Sequence, residues 1–243
     1  MHKTYWLVLI LLQSWAVHAK AVLTVATDAW PPFRIVAPNG QLHGIDIAIL
    51  RRLEQLSGVS LQIKQVPWGR ALKQMETGQV DLMIGLAMSP ARAHYIDYLQ
   101  PSYYQCRTVF YGKAAAAKAL RTYEDLKGQT VGYVLNSVYF DPFDSDSEIH
   151  KYGVRNEALL LQMVKRDRLP LMIGGDCQVD YALSLINDSE LQKAEYHSPQ
   201  AMKLYLAMSK RSPNQALKPL LVQALQQLID SGEIATLAKP YQH

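Results

Sequence analysis

A helix start carries partial positive charge and favours acids, so an arginine in a first helical turn asks for a reason. In "DLMIGLAMSPARAHYIDYLQPSYY", residues 81–104, Ser89 suits a helix N-cap, Pro90 the first helical position, and Arg92 falls on the third. Free backbone N–H groups at a helix start attract an anion. A guanidinium beside them adds a planar fork that grips a carboxylate through two parallel hydrogen bonds. Arg92 therefore reads as the holder of a small solute's carboxylate; the alternative is a solvated arginine paired with a nearby acid such as Asp97. Trp30 and Trp68 could flank that solute, since aromatic rings commonly line small-molecule clefts. Otherwise Trp30 packs on the Pro31–Pro32 turn and Trp68 caps the helix after it. Asp28 could line the cleft or cap a turn, and Asp176 could meet the solute or accept a hydrogen bond near a hinge. Asn136 and Ser137 are small polar groups that could donate to it.

The elements that position these residues follow from periodicity. "VLTVATD" reads as a strand over Val22–Thr27, and "GIDIAILRRLEQLSG" as a helix with Ile45, Ile49, Leu53 and Leu56 on one face and Gly58 as its C-terminal cap. "LQIKQV" is a strand, "GRALKQMETG" a short helix, and "DLMIGLA" an apolar strand covered on both faces. This β-α-β-α-β order predicts a parallel sheet with flanking helices. "CRTVFYGK", "TVGYV", "LPLMIGG" and "MKLYLAMS" are further strands. "NEALLLQMVKRDR", "QVDYALSLIND" and "NQALKPLLVQALQQLIDSG" are helices, and "EIATLAKPY" is a last short one. In open parallel sheets ligands bind beyond the carboxyl ends of the strands. Asp28 and Trp30, Pro67 and Trp68, Ser89 to Arg92, Asn136 and Ser137, and Asp176 each follow such a strand end.

Composition narrows the function. The net charge of +4 is spread without a basic run, and no motif for nucleic acid is present. Lys3, the apolar run Trp6–Leu12 and Val17-x-Ala19 describe a secretory signal peptide cut near Ala19. The run is too short for a membrane span, which needs about 20 residues. Export into a periplasm is expected. Cys106 and Cys177 are the only cysteines. An oxidising compartment permits a disulfide between them, and two separate buried thiols are the alternative. Scattered histidines and two distant cysteines lack metal-ligand spacing, so neither a metal nor a cofactor is expected. "DPFDSDSE" at 141–148 lacks the central glycine of a calcium loop and a closing glutamate at the right distance, and reads as a solvated acidic loop.

Taken in order, "LTVATDAWPPF", "NGQLHGIDIAIL", "VPWGRALKQMETGQVDLMIG", "SPARAHYIDYLQPSYY", "YEDLKGQTVGY" and "ALQQLIDSGEIATLAKPY" resemble the bacterial extracellular solute-binding proteins of family 3. These are the amino-acid-type periplasmic receptors of ABC importers. The resemblance implies an α/β, two-lobed periplasmic binding fold (type II), each lobe a mainly parallel sheet flanked by helices, with two crossover hinge strands. It implies a signal peptide at 1–19, a first lobe from 20–110 plus 206–243, a second from 111–205, and hinge motion near 107–112 and 203–209.

By the same resemblance Arg92 matches the arginine that holds the ligand's α-carboxylate, and Asp176 the acid that takes its ammonium. Trp30, Trp68 and Asp28 match residues lining the cleft, and Gly85 a glycine that admits backbone close to the ligand. Ala87 departs from the usual threonine donor, Ser89-Pro90-Ala91-Arg92 from Thr-x-Glu-Arg, and "VLNSVYF" replaces a glycine-threonine turn. The expectation is a monomeric receptor that binds a small carboxylate-bearing solute, an amino acid or a relative of one. It would deliver that solute to an ABC permease, without being an enzyme. The rivals are an exported enzyme of the same fold, like cyclohexadienyl dehydratase, with Asp28 or Asp176 as the acid or base, and a sensing subunit for a membrane receptor.

Overall fold

A computed structural model describes residues 22–186 and 190–241; the segment read as a signal peptide lies outside them. The chain runs through β1 (Val22–Thr27), a small hairpin of β2 (Ile35–Val36) and β3 (Leu42–His43), α1 (Ile45–Ser57), β4 (Ser60–Gln65), α2 (Trp68–Thr77) and β5 (Leu82–Leu86). The single turn α3 (Pro90–Ala93) leads into the long β6 (Ile96–Lys113). There follow α4 (Ala114–Ala119), β7 (Thr130–Val134), β8 (His150–Val154), α5 (Glu157–Lys165), β9 (Leu171–Gly175) and α6 (Asp176–Leu185). A second long strand, β10 (Leu191–Ser209), returns to α7 (Lys218–Asp230) and α8 (Glu233–Ala238).

The main strands form one run of hydrogen-bonded neighbours, β4-β1-β5-β10-β6-β9-β7-β8. Each end of this run is parallel: β1 with β4 and β5, and β7 with β8 and β9. Between them β10 runs antiparallel to β5 and β6, and β6 antiparallel to β9. The two long strands therefore cross from one half of the molecule to the other. Their pairing extends from Ser209 with Ile96 to Leu191 with Lys113, and its register shifts between Lys193 and Ala201 and again between Leu204 and Leu206.

Each half has its own core on both faces of its sheet. In the first half, Leu23, Val25, Ile49, Leu53, Leu82, Leu225 and Leu228 form one layer, and Ala26, Ala71, Met75 and Met83 form the other. In the second, Phe110, Phe140, Phe143 and Ile173 oppose Val109, Leu160, Met172 and Val179. β5 and β9 are buried along their whole length, as their unbroken apolar runs require. The helical spacing of Ile45, Ile49 and Leu53 turns that face of α1 into the core. Gly58 ends the helix at φ 71°, a left-handed cap that costs a glycine no steric penalty.

Besides the small β2–β3 hairpin, three segments of the main sheet exceed the sequence expectation. β8 alternates exposed and half-buried residues and buries only Val154, as an edge strand can. The first part of β6 contains Pro101, which weakens a strand reading. Residues 191–201 of β10 are largely exposed, so their strand conformation rests on pairing with β6.

Cys106 and Cys177 are joined in a disulfide that ties β6 to the first turn of α6. The bond closes a loop with a sequence separation of 71 residues. Cross-linking so long a loop restricts the unfolded chain, and losing such a bond typically costs about 2–5 kcal/mol. A Cys106→Ser/Cys177→Ser double variant is expected to unfold at markedly lower urea concentration; an unshifted midpoint would show that the bond contributes nothing to stability.

Candidate functional site

A cavity of about 360 Å³ lies between the two halves. That size suits a small molecule. Its walls include Asp28, Trp30, Trp68, Gly85, Ala87 and Arg92 from the first half and Ser137, Glu157 and Gln178 from the second. Seven positions named from sequence thus line one cavity: Asp28, Trp30, Trp68, Gly85, Ala87, Arg92 and Ser137.

Arg92 sits where the local sequence demands. Ser89 caps α3 by accepting a hydrogen bond from the Arg92 backbone N–H at 3.2 Å, and Pro90 occupies the first turn. The Arg92 side chain does not turn out to Asp97, which instead pairs with Lys218 at 2.9 Å. Arg92 is 5% exposed. Its Nη1 donates to the Ala87 carbonyl at 3.1 Å and its Nη2 to the Asn136 carbonyl across the cleft. The guanidinium stands 5.3 Å from the centre of the Trp68 ring, whose indole N–H donates to the same Asn136 carbonyl at 3.2 Å. Burial lowers the Arg92 pKa, and only distant or neutral groups oppose that, namely Tyr98, Tyr95 and Asp144. An arginine remains charged regardless, so Arg92 is a buried cation whose hydrogen-bond partners are carbonyl groups and the neutral Tyr98 hydroxyl.

Asn136 enters the site differently from the expectation. It adopts a left-handed conformation, φ 62°, that aims its backbone carbonyl at Arg92 and Trp68. Its side-chain amide lies towards Gly69 and is not part of the cavity wall.

Beneath Trp30 the structure places a group that sequence reasoning missed. Arg34 is 2% exposed and lies 4.8 Å under the Trp30 ring. It pairs with Asp28 at 3.0 Å and with the fully buried Asp46, and it donates to the Ile84 carbonyl at 3.2 Å. Asp46 also accepts from the Tyr103 hydroxyl. Burial alone would lower the Arg34 pKa, but Asp28 and Asp46 more than offset it and hold the guanidinium charged. Asp28 thus lines the cavity with its carboxylate already engaged. Gly85, at φ 82°, has a reason of its own: a Cβ there would overlap the Arg34 guanidinium and come within 3.0 Å of Asp46. "WPPFR" gave the only signal of Arg34, and nothing in its spacing linked it to Asp46 or Tyr103.

Asp176 is directed elsewhere. One of its oxygens accepts the Arg107 backbone N–H at 2.9 Å and the other the Arg107 Nε at 3.0 Å. It does not line the cavity. The acid on the cavity wall of the second half is Glu157, the first residue of α5. Its Oε1 is buried with no protein hydrogen-bond partner. Burial pushes this carboxyl up to about 7, and the Trp30 side chain opposes the shift. Gln178, 2% exposed, has both amide atoms buried and unpartnered. The strand-end rule that located Arg92 also points to Glu157, once β8 is recognised as the strand before it.

Among the described residues no helix is long and apolar enough to cross a membrane. Comparison with known proteins agrees with the architecture. The chain is 24% identical to the arginine-binding extracellular protein ArtP of Bacillus subtilis, over 91% of this chain and 86% of that one. In fold it is similar to an ancestral arginine-binding protein bound to arginine, with TM-score 0.81 and 20% identity over 93% of this chain and all of the other. A histidine kinase sensor domain with similarity to periplasmic binding proteins is also close in fold, with TM-score 0.79 and 16% identity over 92% and 96% of the two chains. Residues 23–243 match the family model for bacterial extracellular solute-binding proteins, family 3, and the chain, a two-lobed solute-binding receptor, belongs to that family.

Proposed function

We propose that this receptor closes over a small carboxylate-bearing solute, an amino acid or a close relative, and presents it to an ABC permease. The observation that carries this reading is the buried guanidinium of Arg92, which faces the cavity without a carboxylate partner. A desolvated cation of this kind is complementary to an anion. Residues 20–110 with 206–243 form the first lobe and 111–205 the second, and the solute bridges them, so closure follows from contacts made to both. The mature chain works as a periplasmic monomer after cleavage near Ala19. Native mass spectrometry of protein purified without denaturation is expected to release a small carboxylate. A preparation that retains and rebinds only solutes without a carboxylate would overturn the reading.

A second reading, an enzyme of the same fold, finds its support in Glu157. A buried carboxyl near neutrality could serve as a general acid. Asp28 and Asp176, the acids first considered for that role, are both held by arginines. Binding without turnover is the function we favour: solute recovered unchanged and in stoichiometric amount after incubation supports it, and product formation selects the enzyme.

A further inference from the structure

The acids that the fold brings to the cleft are engaged by the protein itself. Asp28 pairs with Arg34 at 3.0 Å, and Asp176 accepts from the Arg107 backbone N–H and Nε, off the cavity wall. Glu157 accepts a hydrogen bond from the Trp30 side chain, and burial pushes its carboxyl up to about 7. Such a carboxyl keeps its proton in much of the population at neutral pH, and an anion bound nearby strengthens that preference. The cations of the wall are placed differently. Arg92 has only neutral hydrogen-bond partners, and Arg155 adds a second positive charge. A protonated nitrogen entering this cavity would lose its water and meet arginines and engaged acids. Other groups there lack a partner of a different kind. The second Glu157 oxygen, Oε1, and both amide atoms of the nearly fully buried Gln178 make no hydrogen bond within the protein. Gly174 and Gly175 give these groups room, since a Cβ on either would collide with Glu157 Oε1 or Gln178 Oε1. Leaving buried polar groups unpaired is costly. The protonated Glu157 and the Gln178 Nε2 are donors, and an oxygen atom would satisfy them. Much of the remaining wall, including Trp30, Trp68, Val138, Leu161, Met202 and Leu204, is apolar.

We propose that the solute is an oxo or hydroxy acid with an apolar body, whose oxygen function accepts from Glu157 and Gln178 in place of the protonated nitrogen of an amino acid. The inference rests on the carboxylate reading of Arg92 and narrows the solute to one chemical class. Glu157 serves here as a neutral donor, so the site works with the proton in place. Near neutrality part of the free receptor has lost that proton, and binding draws it back from the buffer. Affinity then falls as the pH rises through about 7. The groups around Glu157 do not reverse that sign. Trp30 approaches from the first half, Tyr139 and Tyr111 sense the charge from the second with hydroxyls that burial keeps protonated, and Arg155 does not act on it.

Titration calorimetry on the native protein compares phenylpyruvate and phenyllactate with L-phenylalanine and phenylpropanoate, and ketoisocaproate and hydroxyisocaproate with L-leucine and isocaproate. Within each set the skeleton is constant and only the group beside the carboxylate changes. L-arginine is a third amino acid in the comparison. At least one oxo or hydroxy acid is expected to bind about tenfold or more tighter than any of the amino acids, and about threefold or more tighter than the plain carboxylate of its skeleton. Glu157→Gln keeps the shape and a donor of the protonated carboxyl and is expected to hold that affinity within about threefold, whereas Glu157→Leu loses about threefold to tenfold. Binding to the native protein near neutral pH should take up a proton, read as a heat that varies with the buffer's ionisation enthalpy. In Glu157→Gln that dependence should vanish. The native-protein heats need no variant, so a folding defect cannot mask the answer. An amino acid binding as tightly as the oxo and hydroxy acids, plain carboxylates matching them, a loss of tenfold or more in Glu157→Gln, or proton release in place of uptake would each overturn this assignment and leave that of Arg92 standing. If none of these carboxylates binds, the Arg92 reading falls and this one with it.

Discussion

Arg92→Ala is expected to weaken solute binding by about tenfold to a hundredfold, the equivalent of roughly 1.5–3 kcal/mol for a hydrogen bond to a charged group. The size follows from the residue's surroundings. Arg92 is desolvated, so its attraction for an anion is screened less than at a surface. Its fork is fixed by the Ala87 carbonyl, the Trp68 ring and the α3 cap, so little side-chain freedom remains to be lost on binding. Arg92→Lys is expected to fall between the native protein and alanine, because an ammonium keeps the charge but not the planar pair of donors. The stability of the empty protein separates this role from a structural one. A buried cation without a counter-ion contributes little to stability, so the ligand-free midpoint of Arg92→Ala should stay near the native value while the solute-induced shift disappears. Unchanged affinity by calorimetry would remove Arg92 from the site.

Arg34→Met has the largest expected effect on stability. It leaves Asp46, which is fully buried, without its counter-ion and frees Asp28 from its partner. Breaking a buried ion pair from one side typically costs about 3–5 kcal/mol, because the surviving charge stays desolvated. Asp28→Asn should cost less, since the Asp28 side chain is 24% exposed and Arg34 retains Asp46. Urea unfolding of the two variants gives the comparison. If Arg34→Met unfolds within about 1 kcal/mol of the native protein, the cluster is not a stability element.

Arg92 and Arg34 also mark what could be read from the sequence. Arg92 was legible because its evidence is local: Ser89, Pro90 and a preceding apolar strand fix where the backbone goes, and strand ends are where ligands bind. Trp30, Trp68 and Ser137 followed by the same rule. Arg34 was not legible, since its partners Asp46, Ile84 and Tyr103 are distant along the chain and meet only in the folded sheet. Asp176 occupies a proper strand-end position, yet the adjoining disulfide and Arg107 draw its carboxylate off the cavity. Glu157 stayed hidden because β8 is an edge strand without an apolar pattern, so no strand end was visible before it. The pairing of Cys106 with Cys177 was open for a similar reason: spacing carries no information about two positions brought together by crossing strands.

The half of the molecule that begins the chain is finished by its end. Leu221, Ala224, Leu225 and Leu228 of α7 complete the layer that Leu23, Val25 and Ile49 start, whereas the second half draws its core from the uninterrupted stretch 109–194. As the polypeptide emerges from the ribosome, the second half has all its parts before the first can be sealed. Until α7 arrives, the greasy underside of β1 and β5 stays open to any chaperone in reach, and truncation near residue 215 would strand it that way.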